Sequence, residues 1–122
     1  TADWALDIAE QLAGAAPIFY AGKAPRSERD AGLSSRNVHP TVKPLSLCKW
    51  LATLLLPPLA YAPRRLLVPF AGVASEMCGA VLAGWEEVVG LEQSAEYVAI
   101  GRQRLRHWQQ RADEATAQGT LW

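Results

Sequence analysis

Cysteine is scarce in this sequence, and it forms no metal-binding pattern with histidine. Cys48 and Cys78 are the only cysteines among 122 residues, and neither belongs to a CxxC pair or a Cys/His cluster. Both lie among apolar residues at helical spacing, so we expect buried free thiols. This argues against a metal site and a disulfide framework, and it predicts a protein of the reducing cytoplasm.

Long apolar runs and an excess of charge are also missing. No run approaches the roughly 20 apolar residues of a membrane-spanning helix, and no basic-then-apolar signal pattern opens the chain. Twelve basic and twelve acidic residues cancel. The overall charge therefore does not indicate a nucleic-acid partner, and no membrane partner is expected.

Charge is nevertheless concentrated locally, between residues 23 and 43. Glu28 and Asp30 are the only acids in this stretch. The basic residues outnumber them and are Lys23, Arg26, Arg29, Arg36 and Lys43. Such a run is typical of a solvated loop, and a phosphate-binding loop is the alternative interpretation.

The length and apolar content suit one compact domain. We divide it into a leading segment with the basic loop over 1–43, an α/β core over 44–111 and a weakly patterned tail over 112–122. The core carries the patterns that bear on function.

Two short elements are expected in the leading segment. An apolar face of Trp4, Ile8 and Leu12 predicts a helix over 3–13. The run PIFYAG predicts a brief strand over 17–22. Residues 23–43 follow as a polar loop without periodicity.

The stretch HPTVKP introduces the core. Its two prolines hold the entering chain extended, and Pro44 suits the first position of a helix. Apolar residues then recur at helical spacing, at Leu47, Leu51, Leu54 and Leu55. Pro57 and Pro58 end this predicted helix.

A strand, a turn and a helix follow. The apolar run RRLLVPF over 64–70 predicts a strand buried on both faces, as in a parallel sheet. The small residues AGVAS over 71–75 predict a tight turn, with Ser75 as the helix cap and Gly84 at the helix end. The helix should face inward with Met77, Ala80 and Val81.

A second strand and helix complete the pattern. EVVGLE over 87–92 is another apolar strand, and a long helix begins at Ala95. One face of that helix carries Tyr97, Ile100, Gly101, Leu105 and Trp108. Since a parallel βαβ crossover is the commonest connection of such pieces, we expect an α/β fold with a parallel sheet.

Two features fall at the ligand-binding edge of such a sheet. Ligands bind beyond the carboxyl ends of parallel strands. The Gly72 turn follows the first strand, and Glu92 ends the second, where its carboxylate can accept hydrogen bonds from a ribose diol. This spacing favours an adenosine-containing cofactor; a plain turn and a solvated strand-end acid are the alternative.

The turn favours S-adenosylmethionine over a dinucleotide. A dinucleotide usually places its pyrophosphate on a helix N-terminus through GxGxxG. Here Ala74 replaces the second glycine, and Glu76 brings negative charge to the same helix end. The sulfonium of S-adenosylmethionine is positive, so it tolerates this acid.

Three stretches in this order also support a family resemblance. HPTVKP at 39–44, PFAGVAS at 69–75 and GLEQSAEYVAIGRQRL at 90–105 resemble motif X, motif I and the surroundings of motif II in the β-group amino-methylating DNA methyltransferases. Those enzymes make N6-methyladenine or N4-methylcytosine. The similarity runs from about residue 19 to 106.

The resemblance implies a Rossmann-like S-adenosylmethionine-dependent methyltransferase fold, here incomplete, and roles for individual residues. A motif X loop would lie beside the methionine end of the cofactor, the motif I turn would hold it, and the strand-end acid would bind the ribose. These residues are His39, Thr41, Lys43, Phe70, Gly72, Ser75 and Glu92. The residues that would face DNA are Lys23, Arg26, Arg29 and Arg36.

The chain also departs from the family. Val68 stands where an aspartate often holds the methionyl ammonium, so another acid such as Glu76 would have to substitute. Ala74 stands where glycine is usual and adds a methyl near the ligand path.

The largest departure is a missing motif. The family positions the target amine with Asp/Ser/Asn-Pro-Pro followed by an aromatic residue that stacks on the flipped base. The one Pro-Pro pair here follows Leu56, so no catalytic residue is expected in the chain. In the β group the catalytic half lies upstream of motif X.

We therefore expect the C-terminal, cofactor-binding portion of a DNA methyltransferase, inactive alone. Self-association or an upstream catalytic half is its expected partner, and DNA is bound through the complete enzyme. Two alternatives remain open: a degenerate or split non-catalytic subunit that docks on a partner chain, and a dinucleotide-binding fragment.

Overall fold

The fold belongs to the mixed α/β class. The computed structural model describes residues 21–119. Its α-helices are α1 (Arg26–Arg29), α2 (Leu45–Leu55), α3 (Ser75–Ala83) and α4 (Ala95–Ala117). Its strands are β1 (Arg65–Val68) and β2 (Glu87–Gly90), and a 3-10 turn spans Leu59–Tyr61. The elements predicted at 3–13 and 17–22 lie outside the described residues, except for residues 21 and 22, which belong to no strand.

The predicted parallel βαβ unit is confirmed by β1, α3 and β2. The strands are parallel neighbours, with Arg65 opposite Glu87 and Val68 opposite Gly90. The pairing continues past β2, since the Leu91 N–H donates to the Val68 carbonyl at 3.0 Å. The carboxyl ends of both strands therefore lie at one edge, as the topology requires.

Helix α3 packs against α2, α4 and both strands. Gly79 permits the close contact with α2, because a Cβ at this position would lie 2.5 Å from the carbonyl carbon of Cys48. Cys48 and Cys78 are buried and free, which confirms the prediction for the thiols. Burial raises the pKa of Cys48 to about 11 and that of Cys78 to about 12.

The sheet is covered on one face only within residues 21–119. Val68 packs with Met77 in a core cluster that Leu66 joins. On the other face Leu67 and Val89 are paired across the strands and are 60% and 56% exposed. The prediction that the first strand is buried on both faces is therefore wrong for the described structure, because α3 shields alternate side chains only.

The start and end of α3 differ in how well the sequence predicted them. Gly84 ends the helix at φ 103°, as expected. The predicted cap by Ser75 is wrong, because Ala74 occupies the cap position at φ 67° and ψ 28° and Ser75 is the first helical residue. The Ser75 hydroxyl instead accepts a hydrogen bond from Arg104.

The other elements differ from the prediction mainly in length. Helix α2 begins at Leu45, one residue after the predicted start, and ends at Leu55 before the two prolines. Helix α4 continues through Ala117, so the expected tail from 112 is helical over much of its length. Side-chain pairs four residues apart, such as Gln109 with Asp113 at 2.8 Å, support this extension.

Residues 21–119 lack both a helix that could span a membrane and a cluster of potential metal ligands. Between residues 21 and 119 no helix is long and apolar enough to cross a bilayer. The same part of the chain holds no group of three or more potential metal ligands among His, Cys, Asp and Glu.

Candidate functional site

The residues that the resemblance names for the cofactor line one cavity. It has a volume of about 320 Å³ and lies at the carboxyl edge of the sheet. The predicted residues around it are His39, Thr41, Lys43, Phe70, Gly72, Ser75 and Glu92. Residues not predicted for the site, among them Gln93 and Tyr97, complete the lining. The structure thus brings the loop before α2 and the turn after β1 into one concave surface.

The turn after β1 has an unusual backbone. Phe70, Gly72 and Ala74 all have positive φ, at 59°, 57° and 67°. Gly72 also faces the imidazole of His39, and a Cβ there would lie 3.2 Å from His39 Nε2. Only glycine therefore fits without strain. Positive φ at a bulky residue such as Phe70, which is 91% exposed, is uncommon and concentrates at functional sites.

The carboxylate of Glu92 is held by two backbone amides. Oε1 accepts from Gly72 N–H at 3.0 Å, and Oε2 accepts from Ser94 N–H at 2.7 Å. The acid therefore joins the β1–α3 turn to the start of α4. Each carboxylate oxygen can accept more than one hydrogen bond, so ribose hydroxyls remain possible donors to Glu92.

His39 presents one defined ring nitrogen to the turn. Its Nδ1 accepts from Thr41 N–H at 3.1 Å, which leaves Nε2 to carry the proton of the neutral ring. The ring also packs on Tyr97, with centroids 4.6 Å apart. Burial lowers the pKa of His39, and the charge of Lys43 lowers it further. Near neutral pH a neutral His39 therefore carries its ring proton on Nε2, beside Gly72.

Lys43 and Glu76 form an ion pair on the cavity wall. Nζ of Lys43 lies 2.8 Å from Oε1 of Glu76, and the two side chains are 55% and 36% exposed. The pair joins the loop before α2 to the first turn of α3. No carboxylate stands at Val68, which is buried among Ala71, Ala74 and Met77.

Arg104 is a further residue of this region that the sequence did not predict for the site. It is fully buried, and its Nη1 donates to the Val73 carbonyl and to Ser75 Oγ, both at 2.9 Å. Its Nε and Nη2 have no hydrogen-bond partner within residues 21–119. Burial lowers its pKa, yet an arginine stays charged at neutral pH. Arg104 therefore ties the turn to α4 and adds buried positive charge behind it.

Ala74, which stands where the resembled motif usually has glycine, packs near α4 and borders a second cavity. The Ala74 Cβ lies 3.2 Å from the position that a Cβ on Gly101 of α4 would take. Ala74 does not line the first cavity but borders a second one of about 210 Å³. The two cavities share Ala71, Gly72 and Glu92. The extra methyl is thus accommodated against Gly101.

A larger depression lies elsewhere. It has about 810 Å³, lies between α1 and the C-terminal half of α4, and is bordered by His107 and Trp108. None of its lining residues belongs to the segments that directly follow the strands, where parallel sheets bind ligands. We therefore take the smaller cavity, where polar groups from three chain segments converge, as the candidate site.

The basic stretch is more ordered than the sequence predicts. It contains α1, and Asn37 joins it to the next loop, since its N–H donates to Asp30 at 2.8 Å. Arg29 is buried and donates to the His39 carbonyl at 3.0 Å. Its assignment to a DNA-facing set is therefore corrected, because the guanidinium supports the loop of the candidate site.

The other three basic residues of that set remain at the surface. Lys23 and Arg36 are exposed. Arg26 is exposed too, but it is 3.2 Å from Asp30 and donates to the Asn37 carbonyl. Lys23 and Arg36 therefore keep the best access to phosphate.

If Lys23 and Arg36 contact DNA, replacing both with Ser should flatten the salt dependence of DNA binding. Each lost phosphate contact reduces the slope of log K against log salt by about 0.9, so the pair should change it by about 1.8. The measurement is fluorescence anisotropy of labelled duplex DNA over a range of salt. The matched control replaces exposed Arg65 and Arg106. An unchanged slope in the first variant would support the solvated-loop interpretation.

Comparisons with models of known protein families, with curated proteins and with solved structures find no match to this chain.

Proposed function

We propose that this chain is the S-adenosylmethionine-binding portion of a DNA methyltransferase that methylates an exocyclic base amine. The observation that carries the proposal is the convergence of all seven residues named by the resemblance on one cavity. These residues come from positions 39 to 92 of the chain. Their convergence at the carboxyl edge of a parallel βαβ unit supports a Rossmann-like cofactor domain.

The dimensions of the site support a nucleoside cofactor. The two cavities of about 320 and 210 Å³ adjoin at Gly72 and Glu92. Small-molecule sites have roughly 300–1,000 Å³. Glu92 at the junction suits a central ribose, and the two cavities would take the groups attached at either end of that sugar.

Charge favours S-adenosylmethionine over a dinucleotide. Glu76 and Glu92 bring two carboxylates to the first cavity, and Lys43 brings one ammonium. A pyrophosphate would meet Glu76 in the first turn of α3, where the helix dipole would otherwise attract it. A sulfonium is instead attracted by the same carboxylates.

A non-catalytic docking subunit is the second candidate, and one observation favours it. The apolar sheet face at Leu67 and Val89 is open within residues 21–119. Parallel sheets are normally covered on both faces. A split or degenerate subunit would bury this face on a partner whether or not it binds a cofactor.

We expect Glu92→Ala to weaken binding of S-adenosylhomocysteine by at least about tenfold, because charge-assisted hydrogen bonds contribute roughly 1.5–3 kcal/mol each. The measurement is isothermal titration calorimetry of the 122-residue chain. Glu96→Ala is the matched control, since this acid lies in the first turn of α4 and is exposed.

The titration also separates the candidate functions. NAD serves as the competing ligand, and tighter binding of NAD would favour the dinucleotide alternative. Equal affinity of the folded Glu92→Ala variant and the unmodified chain would remove Glu92 from the site. Binding of neither ligand would favour the docking subunit.

A further inference from the structure

The two acids of the first cavity differ in what holds them. Both carboxylate oxygens of Glu92 are bound by backbone N–H groups. Glu76 instead faces the ammonium of Lys43, which stands at the end of a flexible side chain. Backbone amides cannot leave Glu92 without moving the turn, whereas Lys43 can swing away. Glu76 is therefore the acid that can change its partner.

We propose that Lys43 and Glu76 form a clamp for the α-amino-acid end of the ligand. This inference rests on the proposed function, since S-adenosylmethionine and S-adenosylhomocysteine both end in an ammonium and a carboxylate. On binding, the ligand inserts its charges between the two side chains. Glu76 accepts from the ligand ammonium, and Lys43 donates to the ligand carboxylate.

The energetics favour such an exchange. Both side chains are partly exposed, so their direct pairing contributes little in water. One ion pair is replaced by two, and the ligand excludes water from both, which strengthens them. Lys43 and Glu76 carry one charge of each sign, which matches the ammonium and the carboxylate of the zwitterionic end of the ligand.

The charges around the clamp are consistent with this role. His39 packs nearby in its neutral form, with Nδ1 bound to Thr41 N–H. Behind the turn, Nη1 of Arg104 donates to the Val73 carbonyl and to Ser75 Oγ. On the side of α1, Glu28 accepts from Leu45 N–H at the start of α2. Glu76 is thus the carboxylate of this wall that is not bound to backbone.

The clamp also explains how the ligand ammonium can be bound although position 68 is a valine. That position is buried in an apolar cluster and offers no oxygen to an ammonium. Glu76 lies eight residues further on, in the first turn of α3, and its carboxylate reaches the same cavity. A ligand ammonium therefore finds its acid on the helix rather than on the strand.

The test compares two ligands by calorimetry. S-adenosylhomocysteine has the amino-acid end, and 5′-methylthioadenosine lacks it but keeps the adenosine and the thioether. We expect Glu76→Gln and Lys43→Met each to weaken S-adenosylhomocysteine by about tenfold or more, as loss of one charge-assisted bond predicts. Binding of 5′-methylthioadenosine should change by less than about twofold in both variants.

A matched control is available on the sheet. Arg65 and Glu87 form another exposed ion pair, at 2.7 Å, outside the cavity. Glu87→Gln should leave both affinities unchanged, and thermal melting of every variant checks the fold. The selective loss for S-adenosylhomocysteine is the readout that a merely structural role would not produce.

Three outcomes would overturn the clamp. Unchanged affinity for both ligands in Glu76→Gln would remove the acid from recognition. Equal losses for both ligands would mean that Glu76 acts on the shape of the cavity. In these two cases the proposed function stands, because the unmodified chain binds both ligands. Binding of neither ligand by the unmodified chain would overturn the proposed function and the clamp together.

Discussion

Replacing Arg104 with alanine should destabilise the protein by roughly 2–4 kcal/mol, because it empties a buried volume and leaves polar acceptors without a donor. Arg104 is fully buried, and its Nη1 serves both the Val73 carbonyl and Ser75 Oγ. Removal of the charge offsets part of this loss, since a buried guanidinium without a carboxylate partner is itself costly. The measurement is chemical denaturation followed by circular dichroism.

Two further variants make the result interpretable. Arg106→Ala changes an exposed arginine two positions along the same helix and should cost less than about 0.5 kcal/mol. Arg104→Met keeps most of the volume and isolates the polar part of the loss. If Arg104→Ala and Arg106→Ala unfold at the same denaturant concentration, the buried bonds to the turn do not stabilise the fold.

The 122-residue chain alone should transfer no methyl groups to DNA. Its sequence holds no Asp/Ser/Asn-Pro-Pro motif, and Leu56 precedes its one Pro-Pro pair. Cofactor binding would place the sulfonium, but no group in this sequence is identified to hold a flipped base amine in line with it. Such positioning contributes about 7–11 kcal/mol in favourable cases, so the rate should fall to background.

The assay is transfer of labelled methyl groups to mixed-sequence DNA, with and without an added fragment that carries Asp-Pro-Pro-Tyr. We expect activity only in the mixture. Self-association of the lone chain is expected too, because Leu67, Val89 and the strand edges are open within residues 21–119. Turnover by the purified chain would contradict the prediction. An inactive mixture that still binds cofactor would indicate a degenerate module.

Much of the fold follows from short-range patterns. The apolar runs at 64–70 and 87–92, with a small-residue turn and helical spacing between them, were enough to predict the parallel βαβ unit. Burial was harder to predict. A continuous apolar run has the same sequence whether one face or both faces of its strand are covered. The exposure of Leu67 depends on what lies beyond α3, which the run itself does not encode.

That the predicted residues lie around one cavity could be expected from the sequence, but several of their contacts could not. His39, Gly72 and Glu92 meet because the topology brings their segments to one edge. That Glu92 is bound by backbone amides, and that Arg29 is buried, depends on tertiary contacts with no local signal. The role of Arg104 had a signal, since it lies three residues after Gly101 on the apolar stripe of α4. A charged residue on such a stripe is a candidate for burial with a specific partner.

The thiols of Cys48 on α2 and Cys78 on α3, next to the close contact between Gly79 and Cys48, can report motion between these two helices. Helix α2 follows the loop that bears His39 and Lys43, and α3 follows the turn that bears Gly72, so the two halves of the cavity are joined through this helix pair. We expect Cys48 and Cys78 to react with an alkylating agent only when the helix pair opens, since each thiol is buried and its pKa is raised. The rate of thiol labelling therefore measures how often the two walls separate. If a ligand enters through the open mouth of the cavity, the rate of thiol labelling should follow unfolding of the protein. If a ligand enters only when the two walls part, the rate of thiol labelling should follow the rate of ligand exchange.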